Sequence, residues 1–179
     1  TLNFPRDLAL GADGSVYISD RGNACVRRVA SDGSIRTVAG GGTRFRAEGP
    51  GLETDFGNQP AIALEATGRL LIAAGPILYR LEADGMLRIQ AIFTNLPEPR
   101  PSLVTSVAVS TAGDVFLSDL NARRVFRFPR TGSPATHVGN GQFRRTPFTG
   151  IATSGVLSNP ATVAVDSRGS LHIRDRGSS

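Results

Sequence analysis

A chain of 179 residues, 40% of them hydrophobic, is long enough to bury a core and too apolar to be disordered. Its net charge of +5 rests on arginine alone, since all 20 basic residues are Arg and none is Lys. No apolar run reaches the ~20 residues that span a bilayer, residues 1–15 lack the layout of a signal peptide, and a lone cysteine, Cys25, excludes an internal disulfide.

Read in chain order, the sequence repeats. "LALGADG" (8–14) is followed by "VYISD" (16–20), "VRRV" (26–29) and "IRTVAG" (35–40). After a Gly-rich polar stretch come "IALEATG" (62–68), "LLIAA" (70–74), "LYRL" (78–81) and "LRIQAI" (87–92). "FTNLPEPRPS" (93–102) leads to "VAVSTAG" (107–113), "VFLSD" (115–119), "VFRF" (125–128) and "ATHVGN" (135–140). A last partial copy reads "VAVDSRG" (163–169) and "LHIRD" (171–175). Gly14, Gly68, Gly113 and Gly169 anchor the copies, with an aliphatic six residues before each and Asp20, Ala74, Asp119 or Asp175 six residues after.

Each run is four to six residues rich in Val, Ile, Leu and aromatics, and helical periodicity is absent. Asp-Gly between such runs is a hairpin signal. Four antiparallel strands repeating every 45 to 56 residues predict β-propeller blades. The expected fold is therefore all-β, with blades at about 5–41, 60–93 and 104–140 and a half blade at about 160–179, an incomplete ring in one partial domain. Two linkers, 42–59 and 141–159, are long enough to be functional or mobile.

The pattern P-x-x-ΦAΦ-x-x-x-G-x-ΦΦΦ-x-D followed by ΦRΦ and Gly resembles the NHL repeat in its bacterial and teneurin-like form. "VAGGGT", "NQPAIAL" and "LSNPATVAV" look like that family's blade linkers. The second copy departs from it, with Ala74 in the Asp position and two residues fewer before "LYRL". The resemblance implies a ring of about six blades. Three and a half blades then read as part of a longer protein, or alternatively as one of several copies that associate through open strand edges. It also implies three functions: a non-enzymatic scaffold that binds a protein or other ligand, part of a metal-dependent lactonase or lyase, or an RNA-binding propeller. It favours an extracytoplasmic or secreted location without fixing one.

The repeated polar residues are expected to be structural. Asp20, Asp119 and Asp175 end strands, where a carboxylate accepts backbone N–H bonds and fixes the turn that follows. Arg28, Arg80 and Arg127 recur beside them, as ion-pair partners or as stems packed on apolar surface. A catalytic site needs different residues on different blades, not one residue copied, so no catalytic residue is assigned. Cys25 and His172 are expected to pack, with His172 in the place of Tyr17 and Phe116. Two histidines cannot supply a three-His zinc site, and no phosphate loop, nucleophile elbow or calcium loop occurs, so no cofactor or metal is expected. The candidate binding residues are those that depart from the repeat: Arg44, Phe45 and Arg46 in "TRFR", and Phe143, Arg144 and Arg145 in "QFRR". The expected partner is a protein or other macromolecule; nucleic acid lacks support from an aromatic stacking platform, aromatics being 6% of the chain.

Overall fold

The computed structural model describes residues 1–57, 60–96, 98–143 and 150–177. It divides into two compact units, Thr1–Ile92 and Phe93–Ser179.

In the first unit, β1 (Pro5–Leu10), β2 (Val16–Asp20), β3 (Cys25–Val29) and β4 (Ile35–Gly40) pair antiparallel in chain order. The second sheet has five strands. β5 (Gly49–Pro50) lies outside β9 (Met86–Ile92), which is followed inward by β8 (Ile77–Leu81), β7 (Leu70–Ala74) and β6 (Ala61–Leu64). The second unit repeats the plan with β10 (Val104–Val109), β11 (Val115–Asp119), β12 (Arg124–Phe128) and β13 (Ala135–Val138). A fourth sheet pairs β14 (Pro160–Val165) with β15 (Leu171–Asp175).

The local causes are those that the repeat encodes. Alternating β-branched and aromatic residues suit a pleated, half-buried surface. The hairpins close on glycines at φ +79° (Gly14) and +88° (Gly113), a conformation in which a Cβ would be strained. The third and fourth strands of all three complete sheets slip register once, after Val26, Leu78 and Val125, so the bulge is copied with the repeat.

Within the first unit, the two sheets enclose Val26, Ala39, Phe56, Ile62, Ile72, Tyr79 and Leu87. Full burial of a side chain such as Ile72 or Leu87 contributes roughly 1.5–3 kcal/mol. Polar bonds tie the sheets as well: Ser19 Oγ donates to the Pro60 carbonyl at 2.5 Å, and the Ile62 N–H donates to the Asp7 carboxylate at 3.2 Å. The second unit uses the same joints with other side chains. Thr105 Oγ1 donates to the Pro160 carbonyl at 2.9 Å, and the Val163 N–H donates to Ser106 Oγ at 3.3 Å.

One face of the first sheet has no sheet against it within its unit. Leu8, Leu10 and Ile35 are 63, 70 and 54% exposed, whereas Ile62, Leu70 and Leu87, on the matching face of the second sheet, are 2, 2 and 0% exposed. His172 is likewise exposed, contrary to the packing role expected of it. Its sheet is two strands wide, and its Nε2 lies 3.3 Å from Asp166.

Candidate functional site

The strand-end acids are built into the backbone. Asp20 is fully buried and accepts from the Asn3 N–H at 2.7 Å, from Asn23 Nδ2 at 2.7 Å and from Arg27 Nε at 3.1 Å. Asp119, also fully buried, accepts from the N–H groups of Ser102, of Leu103 at 2.6 Å and of Ala122 at 2.7 Å. Asp175 accepts from Ser158 and Asn159 at 2.8 and 2.5 Å. The donors are therefore mainly in the segment that enters the same sheet, 16 or 17 residues upstream, and only partly in the turn that follows. Burial pushes the Asp20 pKa up, but the bonds from Asn23, Asn3 and Arg27 outweigh it and leave the group below the ordinary carboxylate range.

The recurring arginines do not pair with these acids. Arg28 Nη2 bonds Asp13 at 2.7 Å, in the hairpin turn between β1 and β2, while the neighbouring Arg27 takes Asp20. Arg127 bonds Asp114 at 2.6 Å, again in a hairpin turn, and Arg80 Nε bonds Glu82 at 2.7 Å. Strand alternation explains the partner. Arg28 and Asp20 point to opposite faces, since Arg28 stands across from Tyr17 and Arg27 across from Ile18.

Residues 42–57 of the first linker form a strap. Arg44 forms a bridge with Thr54, and its carbonyl accepts from the Asp55 N–H at 2.8 Å. Arg46 pairs with Glu53 at 2.9 Å, and its carbonyl accepts from the Tyr79 hydroxyl at 3.1 Å. Gly42 passes so close to Glu53 that a Cβ there would stand 2.0 Å from a backbone oxygen. Phe56 is buried against Tyr79, with ring centroids 5.8 Å apart. Between these anchors Phe45 projects, 58% exposed, with Arg44 and Arg46 on either side. In the second unit Phe143 is 54% exposed and lies beneath the guanidinium of Arg123, 5.5 Å from ring centroid to Cζ. Arg123, which the repeat pattern did not single out, is thus the cation at this aromatic. Arg144 and Arg145 lie outside the described residues.

A cleft of about 710 Å³ opens between the two sheets of the first unit. One wall carries Tyr17, Arg28 and Arg36; the other carries Arg69, Glu82 and Asp84. Leu52 of the strap and Met86 supply apolar lining. Glu82 is shared between Arg80 at 2.7 Å and Arg69 at 3.4 Å. Among the described residues there is no group of three His, Cys, Asp or Glu that could hold a metal ion.

Residues 2–29, which contain β1, β2 and β3, match the family model of the NHL repeat. No curated protein sequence matches the chain. Among solved structures, a streptogramin B lyase is similar at a TM-score of 0.62 and 14% identity, over 96% of this chain and 48% of its own. A gluconolactonase from Xanthomonas campestris gives 0.61 and 15%, over 98% and 71%. An auxiliary nutrient binding protein from Bacteroides ovatus gives 0.61 and 15%, over 98% and 46%. At such identities the likeness is one of fold. This chain spans about half the length of the streptogramin B lyase. The fold is that of β-propeller blades, three built on four antiparallel strands, the second widened by β5, and two strands of a fourth.

Proposed function

We propose that this chain is a non-enzymatic binding module, a propeller segment that presents its linker loops to a protein partner. The observation that carries the reading is Phe45, an exposed aromatic between two arginines on a strap fixed by the Arg46–Glu53 pair and the buried Phe56. Aromatic and Arg side chains held on a rigid loop contribute contact area at little entropic cost. Phe143 under Arg123 offers a comparable pair in the second unit. The copied acids support the same reading. Asp119 and Asp175 accept backbone N–H groups of the chain entering their own sheet, and Asp20 accepts the Asn3 N–H together with the Asn23 and Arg27 side chains.

The test is photo-cross-linking from position 45, with benzoylphenylalanine in place of Phe45, in extract of a cell that expresses the protein. The expected result is a discrete protein adduct, absent when the same probe replaces the exposed Ile35. Equal, diffuse labelling from both positions refutes the reading.

The fold neighbours favour a second reading, since one is named a lyase and another a gluconolactonase. In that reading this chain supplies part of a metal-dependent propeller enzyme. Lactone turnover that needs a stoichiometric divalent cation replaces the first reading with this one.

A further inference from the structure

We propose that the cleft between the two sheets of the first unit is a binding site for a singly charged carboxylate, held by Arg28 and Arg36. Three side chains stand in a row across the first sheet. Tyr17 on β2 lies opposite Arg28 on β3, which lies opposite Arg36 on β4, and all three line the cleft. Cross-strand neighbours stand about 5 Å apart at Cβ, and like charges in that relation repel. Asp13 offsets Arg28 alone. Arg36 is exposed and has neither a hydrogen bond nor an ion pair among the described residues. The Nε of Arg28 is buried with no hydrogen-bond partner. The wall therefore offers one uncompensated positive charge, that of Arg36, beside the Arg28 guanidinium held over the Tyr17 ring at 5.9 Å, and a carboxylate bridging the two guanidinium groups offsets that charge.

The opposite wall restricts the ligand further. Asp84 faces the same space beside Glu82, whose charge Arg69 and Arg80 share, so a multiply charged phosphate meets more repulsion there than a monocarboxylate does. The same two acids accept hydrogen bonds from hydroxyl or amide groups of the ligand. A sugar acid and the C-terminal carboxylate of a peptide share this chemistry. The site is separate from the exposed aromatic of the linker, because none of Arg44–Arg46 lines the cleft, although Leu52 further along the strap does.

The experiment is calorimetric titration of the whole chain at low salt with two probes, glucuronate and an N-acetylated tripeptide with a free C-terminus. Glucose, the amidated peptide and inorganic phosphate at pH 8 are the comparisons. Saturable binding of either probe is expected, and which one binds identifies the source of the carboxylate. Arg36→Gln, at an exposed position with no partner to lose, weakens that binding tenfold or more. Arg88→Gln leaves it within twofold: Arg88 stands opposite Arg80 as Arg36 stands opposite Arg28, but outside the cleft. The proposal is overturned if neither probe saturates, if Arg36→Gln changes affinity less than twofold, or if phosphate binds as tightly as the carboxylates.

Discussion

Asp119→Ala tests whether the repeated acid is a structural bolt. The carboxylate is fully buried and holds three backbone N–H groups, those of Ser102, Leu103 and Ala122, with no arginine partner among the described residues. Each donor left without an acceptor costs about 1–3 kcal/mol, toward the lower figure where water can reach it. The donors are partly buried, so the sum is about 3–5 kcal/mol, a large share of the ~5–15 kcal/mol that stabilises a typical domain. Asp119→Asn keeps one carbonyl acceptor and is expected to lose about half as much. Hydrogen exchange followed by mass spectrometry resolves the effect: amides at 102, 103 and 122 exchange at least a hundredfold faster in the Ala variant. The two tyrosines, Tyr17 and Tyr79, both lie in the first unit, so their fluorescence reports that unit while circular dichroism reports the whole chain. A loss of dichroism at lower denaturant with the tyrosine transition in place is the expected signature. If the three amides keep their protection and the midpoint does not move, the carboxylate is not the tie described here.

Asp7 does for Ile62 what Ser106 does for Val163, but as a carboxyl whose burial raises its pKa against the bonds from Ile62 and Leu8. A raised acid contributes stability that is lost as pH rises through the folded value. Asp7→Ser is therefore expected to raise the melting temperature at pH 7 and to flatten its fall between pH 4 and 7; a lower melting temperature at pH 7 contradicts this. His137 packs edge-on to Phe116, with burial first and Arg127 second holding its pKa below the ordinary value. The unfolded chain then binds the proton more readily, so stability falls as pH drops below about 6.5. His137→Phe should remove that slope from a series of urea melts, and an unchanged slope assigns it elsewhere. The uncovered face around Leu8 and Leu10 should bind anilinonaphthalene sulfonate in the native state, and Leu8→Ser with Leu10→Ser should abolish most of that fluorescence. Native fluorescence that survives the double change places the apolar surface elsewhere.

The architecture was legible because it rests on short-range rules. Alternation of period two, hairpin glycines and a copied strand-end Asp are written within about 20 residues of one another, and the sheets of the structure follow them. The partners of those residues were not legible, for a physical reason. A buried carboxylate that needs backbone N–H groups accepts them from any residue type, so Asn3 does for Asp20 what Ser102–Leu103 and Ser158–Asn159 do for the other two, with at most one serine in common. That the strap joins the second sheet was not legible, because Gly49 and Pro50 carry no strand signal, although they pair with Leu87 and Met86 at its edge. Phe56, the only large apolar residue of 53–57, was the available sign that this segment packs.

The arginine pairing shows where reading departures from the repeat succeeds and where it fails. Looking for function in uncopied residues leads to Phe45 and Phe143, and both are exposed. It passes over Arg28 and Arg36 because Arg80 and Arg88 copy them in the next sheet. Yet a cleft between two blades is lined by unlike faces of successive repeats, so a copied residue acquires its surroundings from its neighbour. Arg28 and Arg36 face Arg69, Glu82 and Asp84, whose counterparts in the first sheet are Ser15, Ala30 and Asp32 in the same register. What individualises the groove is the next blade's contribution of Glu82 and Arg69, where the first sheet has Ala30 and Ser15, across from a copied arginine pair. In a repeat protein, the unit that can acquire a site is therefore the junction between copies, even where each copy alone looks purely structural.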